Sequence, residues 1–121
     1  MDNLILEISG ATVANCMACG RCSAACPAGE EMDIKPHQFV SRLKRGESES
    51  LLAADSIWKC LSCFTCVERC PRDVKPARLL EATRTYLLRQ KDCEGLTVED
   101  IQTEPNTPQQ LLVSAFRKYR K

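Results

Sequence analysis

The sequence predicts a mainly α-helical fold with little or no β-structure. Apolar residues recur at helical spacing, Pro and Gly stand where helices would start and stop, and strand-like alternation is weak. With 121 residues, the chain suits one domain or a closely joined pair of lobes. Only one Trp, two Tyr and three Phe are present, so the core is expected to be modest and another stabilising element is needed.

A helix is predicted to begin near Pro36 and to stop at Gly46. Proline suits the first helical position, and Asp33, just upstream, is a residue type that caps helix N-termini. Glycine is favoured just beyond a helix C-terminus. One face of this predicted helix is apolar and carries Phe39, Val40 and Leu43.

Further helices are predicted downstream. A shorter one lies within 47–59, and the longest begins at Pro76 and runs to about Gln90. A final helix begins at Pro108 and has apolar residues at i, i+3, i+4 and i+7, namely Leu112, Ala115, Phe116 and Tyr119. The segment 1–10 is expected to be a short strand or an extended arm. Its alternation is imperfect and no hairpin turn follows, so a loosely ordered terminus is the alternative.

These elements predict the domain organisation. Residues 1–92 are expected to form one domain and 93–107 a polar linker. The segment 108–121 is expected to be a helix that packs on the domain or on a partner. Its basic end, 117–121, complements the negative end of a helix dipole, with docking to an acidic partner as the alternative.

Eight of the nine cysteines form two runs with the same spacing, C-x2-C-x2-C-x3-C-P. The chain therefore contains an internal repeat, which sets its architecture. The first run contains Cys16, Cys19, Cys22 and Cys26, and the second contains Cys60, Cys63, Cys66 and Cys70.

This run resembles that of the two-cluster ferredoxins. Three cysteines at x2 spacing surround one face of a [4Fe–4S] cluster, and in those ferredoxins the fourth cysteine of each run binds the other cluster. The resemblance implies two [4Fe–4S] clusters in this chain. The implied ligand sets are Cys16, Cys19, Cys22 and Cys70 for cluster 1, and Cys60, Cys63, Cys66 and Cys26 for cluster 2.

Other uses of the cysteines fit the spacing less well. Zinc ribbons take pairs of cysteines from two knuckles, and disulfides within such runs would be crowded and strained. A [3Fe–4S] cluster usually goes with a missing cysteine, and neither run lacks one. His37, the only histidine, is interpreted as a solvated surface group. Cys93 is interpreted as a spare thiol, or alternatively as a redox-active or partner-linking one.

Basic residues stand beside the cysteines of both runs. Cations close to a cluster stabilise its reduced form and raise its reduction potential. An ordinary solvated charge is the alternative interpretation for each. The residues concerned are Arg21, Lys59, Arg69, Arg72 and Lys75.

Charge and hydropathy exclude several classes of function. The formal net charge is +1, and acids balance the basic residues, so a nucleic-acid partner is not expected. No segment approaches the ~20 apolar residues that span a bilayer, and the start of the chain has no signal-peptide pattern. We therefore expect a cytoplasmic protein without direct membrane insertion, in which clustered cysteines serve metal or redox chemistry.

The separation of the two runs distinguishes this chain from small bacterial ferredoxins. Thirty-three residues lie between Cys26 and Cys60, and a helix is predicted there. The chain thus resembles the α-helical ferredoxins that form the iron–sulfur parts of succinate dehydrogenase-like enzymes. The fold implied is an α-helical ferredoxin with two [4Fe–4S] clusters.

The sequence is similar, more specifically, to the C-type subunit of heterodisulfide reductase. The similarity lies in the cluster loops 13–27 and 57–74, with Trp58 just before the second run, and more loosely in the tail 108–118. It implies an electron-transfer subunit that takes electrons from the flavin- and cluster-bearing A-type subunit. The electrons would pass to the B-type subunit, which reduces a disulfide.

This chain lacks the Cys-Cys-Gly motif of the catalytic cluster in that family, so no catalytic site of its own is expected. The disulfide chemistry is therefore assigned to a partner. Three alternatives stay open. The first is a free-standing ferredoxin, or an iron–sulfur module of another complex of the succinate dehydrogenase or glycolate oxidase type. The second is an enzyme that uses Cys93 or a labile iron as its catalytic site. The third is a structural module stabilised by metal.

Overall fold

The computed structural model describes residues 1–90, Glu99 and 104–119, and this part of the chain is helical and contains no β-strand. A 3₁₀ turn, Val13–Asn15, precedes the first cysteine. The prediction of a mainly α fold is confirmed. The helices are α1 (Asp2–Ser9), α2 (Arg21–Ala24), α3 (Pro36–Lys44), α4 (Ser48–Leu52), α5 (Ser56–Lys59), α6 (Thr65–Glu68), α7 (Pro76–Leu88) and α8 (Gln109–Tyr119).

The N-terminal segment is a helix, so the prediction of a strand or an extended arm for 1–10 is wrong. In α1, Ile5 and Ser9 lie one turn apart and both are buried. Gly10 ends the helix in the left-handed conformation, with its N–H donated to a carbonyl one turn back at 3.0 Å. A short apolar run such as 4–6 does not distinguish strand from helix by its periodicity, which explains the error.

Helix α3 begins at Pro36 and stops before Gly46, as predicted. Gly46 has a φ of 77°, and its N–H donates to Leu43 O at 3.1 Å. The N–H of Glu47 donates to Arg42 O at 3.0 Å. These two bonds form a Schellman motif, whose left-handed residue is most easily a glycine. The predicted apolar face is buried and consists of Phe39, Val40 and Leu43.

Asp33 caps a different helix from the one predicted. Its carboxylate accepts hydrogen bonds from the N–H groups of Asp55 (3.2 Å) and Ser56 (2.8 Å), at the start of α5. At the start of α3, Gln38 Oε1 accepts the Lys35 N–H at 3.0 Å instead. The cap on α5 comes from 22 residues away, and sequence spacing does not reveal such a contact.

The segment 47–59 contains two short helices, α4 and α5, where one was predicted. Each contributes a fully buried side chain, Leu51 from α4 and Ile57 from α5. The N–H of Ala54 donates to Leu51 O at 3.2 Å, so the chain turns tightly between the two helices. The cap from Asp33 then starts α5 in a new direction.

We expect Asp33→Ala to lower the free energy of unfolding by about 1 kcal/mol, the typical loss for an N-cap. Burial alone would raise the pKa of Asp33, but hydrogen bonds donated by Ser56, Ile34 and Asp55 outweigh it and hold the pKa below its usual value. A depressed carboxyl pKa contributes stability that is present above the unfolded-state pKa and is lost as the pH falls through the folded-state pKa.

The difference in free energy of unfolding between wild type and Asp33→Ala, measured by chemical denaturation, should therefore be the same at pH 7 and at pH 5. Asp55→Ala is the matched control, because Asp55 is the N-cap residue of α5 but its side chain makes no capping hydrogen bond. A larger loss of stability in the control than in Asp33→Ala would contradict this assignment of the cap.

Helix α7 begins at Pro76, as predicted, and is the longest helix in the described part of the chain. Its residues Leu79, Leu80 and Thr83 are at most 1% exposed. The Thr83 hydroxyl donates to Leu79 O at 2.9 Å, which satisfies a polar group in the core. The chain forms two compact units, Met1–Thr83 and Arg84–Lys121, which divide inside α7.

In the second unit, α8 begins at Gln109, directly after Pro108, where a helix start was predicted. Leu111 and Val113 are 60% and 61% exposed. Three members of the predicted apolar stripe are half-buried, namely Leu112, Ala115 and Phe116. The side chain of Tyr119, the fourth member, lies outside the described part of the chain.

The predicted domain boundaries at 1–92, 93–107 and 108–121 stay predictions. Most of the predicted linker falls outside the described residues, and so does Cys93. None of the helices that the structure describes is both long enough and apolar enough to cross a membrane.

Candidate metal centres

The eight cysteines of the two runs surround two separate cavities. The first cavity, called site 1, is lined by Cys16, Cys19, Cys22 and Cys70. The second, called site 2, is lined by Cys26, Cys60, Cys63 and Cys66. Each site takes three cysteines from one run and the fourth from the other run. This is the same grouping as the implied ligand sets, although ligation itself stays a prediction.

Equivalent short elements carry the cysteines in the two halves. Cys22 lies on α2 and Cys66 lies on α6, and these two helices contact each other. The first cysteine of each run follows a short helix, the 3₁₀ turn before Cys16 and α5 before Cys60. Because α2 and α6 pack together, the two cavities are adjacent. The fourth cysteine of each run, just beyond its helix, can therefore line the cavity of the other half.

The loops between the first three cysteines have the same backbone conformation in both halves. The φ angle is positive at Ala18 (55°) and Ser62 (53°), before the second cysteine, and at Gly20 (75°) and Phe64 (61°), after it. Turns of this kind gather backbone N–H groups into anion-binding concavities, which occur at iron–sulfur sites. The Ala18 N–H accordingly donates to the sulfur of the first cysteine of its run at 3.4 Å.

The donor set of each cavity fits a [4Fe–4S] cluster. Among the described residues, four thiols and no carboxylate line each site, and this all-cysteine set is the usual one for a cubane. Among the described residues, no three Cys, His, Asp or Glu side chains are spaced to hold a single metal ion. The thiols surround a cavity, and a backbone N–H also approaches the fourth cysteine at site 1, where Val74 N lies 3.4 Å from Cys70 Sγ.

Burial changes the ionisation of the thiols. It raises the pKa of Cys66 to about 12, and it also raises the pKa of Cys22 and of Cys26. Hydrogen bonds from Thr65, whose hydroxyl oxygen is 3.3 Å from the sulfur, lower the pKa of Cys63. Because iron binds thiolates, filling the sites must release protons, and cluster retention weakens as the pH falls.

The two sites differ in exposure to solvent. Cys60 and Cys66 of site 2 are 7% and 8% exposed, whereas the equivalent Cys16 and Cys22 of site 1 are only half-buried. The second cysteine of each run is exposed at both sites. Two of the four site 2 cysteines are therefore better shielded from solvent than their equivalents at site 1.

His37 is half-buried and lines site 1, so its interpretation as a solvated surface group is wrong. Its Nδ1 lies 2.7 Å from Ser23 Oγ, and its backbone N–H donates to the same oxygen at 3.1 Å. The serine oxygen already accepts that N–H, so its own hydrogen is available for Nδ1. These two contacts hold the imidazole ring beside site 1.

The internal repeat extends beyond the cysteines, a signal that the sequence analysis missed. The tripeptides Ile-Lys-Pro at 34–36 and Val-Lys-Pro at 74–76 start α3 and α7, respectively. Aligning the two halves on these prolines pairs His37 of site 1 with Ala77 of site 2, and each lines its own cavity. This alignment would have predicted from the sequence alone that His37 lies near site 1.

Of the five basic residues singled out in the sequence, Arg21 and Arg72 line site 1. The other three line neither cavity. Lys59 Nζ donates to a backbone carbonyl at 2.7 Å, and Lys75 lies 3.4 Å from the carboxylate of Asp73. Within the described residues, the cationic lining is thus confined to one of the two sites.

Known proteins match this arrangement. The family described as 4Fe-4S dicluster domain matches residues 12–74, which include all eight cysteines. The C2 subunit of H(2)/formate:CoB-CoM heterodisulfide,ferredoxin reductase from Methanococcus maripaludis is 38% identical over 61% of this chain and 40% of its own length. The C-type subunit of ferredoxin:CoB-CoM heterodisulfide reductase from Methanosarcina acetivorans is 34% identical over 71% of this chain and 33% of its own length.

A third relative extends the same pattern. The iron-sulfur C-type subunit of CoB–CoM heterodisulfide reductase from Methanopyrus kandleri is 34% identical over 60% of this chain and 38% of its own length. The chain thus spans between a third and two fifths of the length of these relatives. The similarity to the C-type subunit implied by the cluster loops is confirmed. Because the dicluster match covers half of the chain and both cysteine runs, this protein belongs to the 4Fe–4S dicluster domain family and takes two [4Fe–4S] clusters as cofactors.

Proposed function

We propose that this chain is the electron-transfer subunit of a heterodisulfide reductase-like complex. In such a complex it relays electrons from a flavin- and iron–sulfur-bearing A-type subunit to a disulfide-reducing B-type subunit. The observation that carries the proposal is the pair of adjacent cavities, each lined by four cysteines. The names of the relatives, which are subunits of heterodisulfide reductases, support the type of complex.

The proposed ligand sets follow the two cavities. Site 1 binds its cluster through Cys16, Cys19, Cys22 and Cys70, and site 2 binds its cluster through Cys26, Cys60, Cys63 and Cys66. A bound [4Fe–4S] cluster supplies one-electron transfer. The contact between α2 and α6 supports a short path between the sites, since each helix carries a cysteine of one site.

The proposal assigns no catalysis to this chain. Four thiols at each site leave no open coordination position on the iron for a disulfide to occupy. The sequence also has no Cys-Cys-Gly motif. These features support passage of electrons through the chain and disulfide reduction on a partner.

The surface over each cavity is suited to a protein partner. Met17 lines site 1 and is 58% exposed, and Leu61, at the equivalent position, lines site 2 and is 64% exposed. Cys19 and Cys63 are exposed beside them. Electron transfer falls steeply with distance, so a partner must approach the cysteine loops closely, and an apolar side chain at each loop offers contact area. This supports a separate docking position at each site.

Reconstitution tests the proposed function. A donor protein that bears flavin and clusters is mixed with a disulfide-reducing protein and the CoB–CoM heterodisulfide, with and without this chain. We expect turnover of the disulfide only in the complete mixture, and a drop to background when the chain is omitted or has lost its clusters. This chain alone should not reduce the disulfide, because a dithiol exchange needs a resolving cysteine.

The outcomes separate the candidates. Equal turnover without this chain would reject the electron-transfer role. Turnover by this chain alone that Cys93→Ala abolishes would support a thiol enzyme instead, although Cys93 lies outside the described residues. Reduction of unrelated acceptors with no gain from either partner protein would support a free-standing ferredoxin.

A further inference from the structure

Equivalent positions at the two sites differ in charge. Arg72 lines site 1 directly after Cys70 and its proline, and the equivalent residue at site 2 is Ala28. Arg21 also lines site 1, and its equivalent in the second run is Thr65. Apart from the cysteines, every side chain that lines site 2 in the described part of the chain is apolar.

A third polar group adds to this difference. His37 lines site 1, held by its two hydrogen bonds to Ser23, and Ala77 takes its place at site 2. An imidazole ring is polar and can form hydrogen bonds, which a methyl group cannot. Among the described residues, site 1 is therefore lined by two arginines and a histidine, whereas the residues that line site 2, apart from its cysteines, are all apolar.

Burial acts in the same direction as charge. A [4Fe–4S] cluster with four thiolates carries about two negative charges when oxidised, and reduction adds one more. Cations stabilise that added charge, whereas a dry, apolar cavity disfavours it. At site 2, Cys60 and Cys66 are nearly buried, whereas their equivalents at site 1 are half-buried.

Hydrogen bonds to sulfur occur at both sites and so do not by themselves distinguish the two. Backbone N–H groups approach Cys16 and Cys70 at site 1, and the Thr65 hydroxyl lies 3.3 Å from Cys63 Sγ at site 2. The Thr65 contact instead provides a way to change site 2 alone.

We infer that Arg21, Arg72 and His37 give site 1 the higher reduction potential, so that the half-reduced protein holds its electron there. The inference rests on the proposed ligand sets and on no partner protein. It also assigns a direction within the chain, with electrons passing favourably from site 2 to site 1. In the proposed complex, site 2 then faces the donor and site 1 faces the acceptor.

An anaerobic redox titration of the isolated holo protein, followed by electron paramagnetic resonance, tests this order. Arg21→Thr combined with Arg72→Ala copies the site 2 residues into site 1. We expect the midpoint potential of the site 1 cluster, the higher of the two, to fall by about 59 mV. This corresponds to about a tenfold fall in the equilibrium constant that favours the electron at site 1 over site 2. The lower midpoint should not move. Both arginines are exposed, and iron content will verify that both clusters are retained.

Two control variants complete the design. Arg69→Ala removes an exposed arginine that adjoins Cys70 but lines neither cavity, and both midpoints should stay near wild type. Thr65→Val should lower the lower midpoint only, because it removes a hydrogen bond to a site 2 sulfur. The inference would be overturned if the double arginine variant shifted the lower midpoint, or if it shifted neither midpoint.

Removing one cluster at a time gives an independent measurement. Cys70→Ala should leave only the cluster with the lower potential, and Cys26→Ala only the one with the higher potential. The reverse order would also overturn the inference. These titrations need no partner protein. If the two clusters had equal potentials, the inference would fail and the proposed function would still stand. If the reconstitution failed, the order of the potentials would still stand.

Discussion

Replacing Cys19 and Cys70 together with alanine should leave one cluster in the protein, with about four iron and four sulfide per chain in place of about eight of each. Both cysteines line site 1, so the second substitution damages a cavity that the first has already emptied. Replacing Cys19 and Cys26 together should leave no intact cluster, because these two cysteines line different cavities. Both pairs remove two thiols, so they are matched in chemistry.

Iron and sulfide analysis, with visible absorption, distinguishes crossed from uncrossed ligand sets. If each run supplied all four ligands of its own cluster, the pair Cys19 and Cys26 would spare one cluster, and the pair Cys19 and Cys70 would destroy both. That result would contradict the proposed sites. Because ligation is coupled to folding, the analysis must use soluble, monomeric protein. Zinc in place of iron in the wild-type protein would contradict the family's cofactor in this chain.

Phe39→Ala should lower the free energy of unfolding by about 3–5 kcal/mol, the usual range for a buried phenylalanine. Phe39 is 1% exposed and lies on α3, which contacts α2, α4 and the 3₁₀ turn before Cys16. Truncation leaves a cavity beneath the elements that carry site 1 cysteines. Cluster loss at site 1 should therefore begin at lower denaturant concentration than in wild type.

Anaerobic urea denaturation, followed by circular dichroism and by cluster absorption, measures both effects. Leu111→Ala is the control, because Leu111 is 60% exposed and a surface substitution of this kind usually changes stability by less than about 0.5 kcal/mol. A Phe39→Ala protein as stable as this control would show that α3 does not support the site.

The sequence by itself determined the cofactor chemistry and the fold class. Two runs of cysteines at x2, x2 and x3 spacing followed by proline favour iron–sulfur binding over zinc or disulfides, because a short loop with this spacing brings three thiols to one cluster. Helical periodicity and terminal Pro and Gly residues located α3 and α7, since these signals arise from local backbone preferences. The crossed grouping of the cysteines followed from resemblance to a known run.

Only the tertiary structure decided the contacts between residues that lie far apart along the chain. Asp33 caps α5 rather than α3, and His37 binds Ser23, because packing brings these residues together and sequence spacing does not. The N-terminal segment is helical because Ile5 and Ser9 are buried on one face, whereas its short apolar run suits strand and helix equally. The difference in burial between the two sites is likewise tertiary, whereas the difference in charge at equivalent positions is already visible when the two runs are aligned. The repeated cysteines make the sites equivalent in ligands, and the residues that packing places around each cavity make them different.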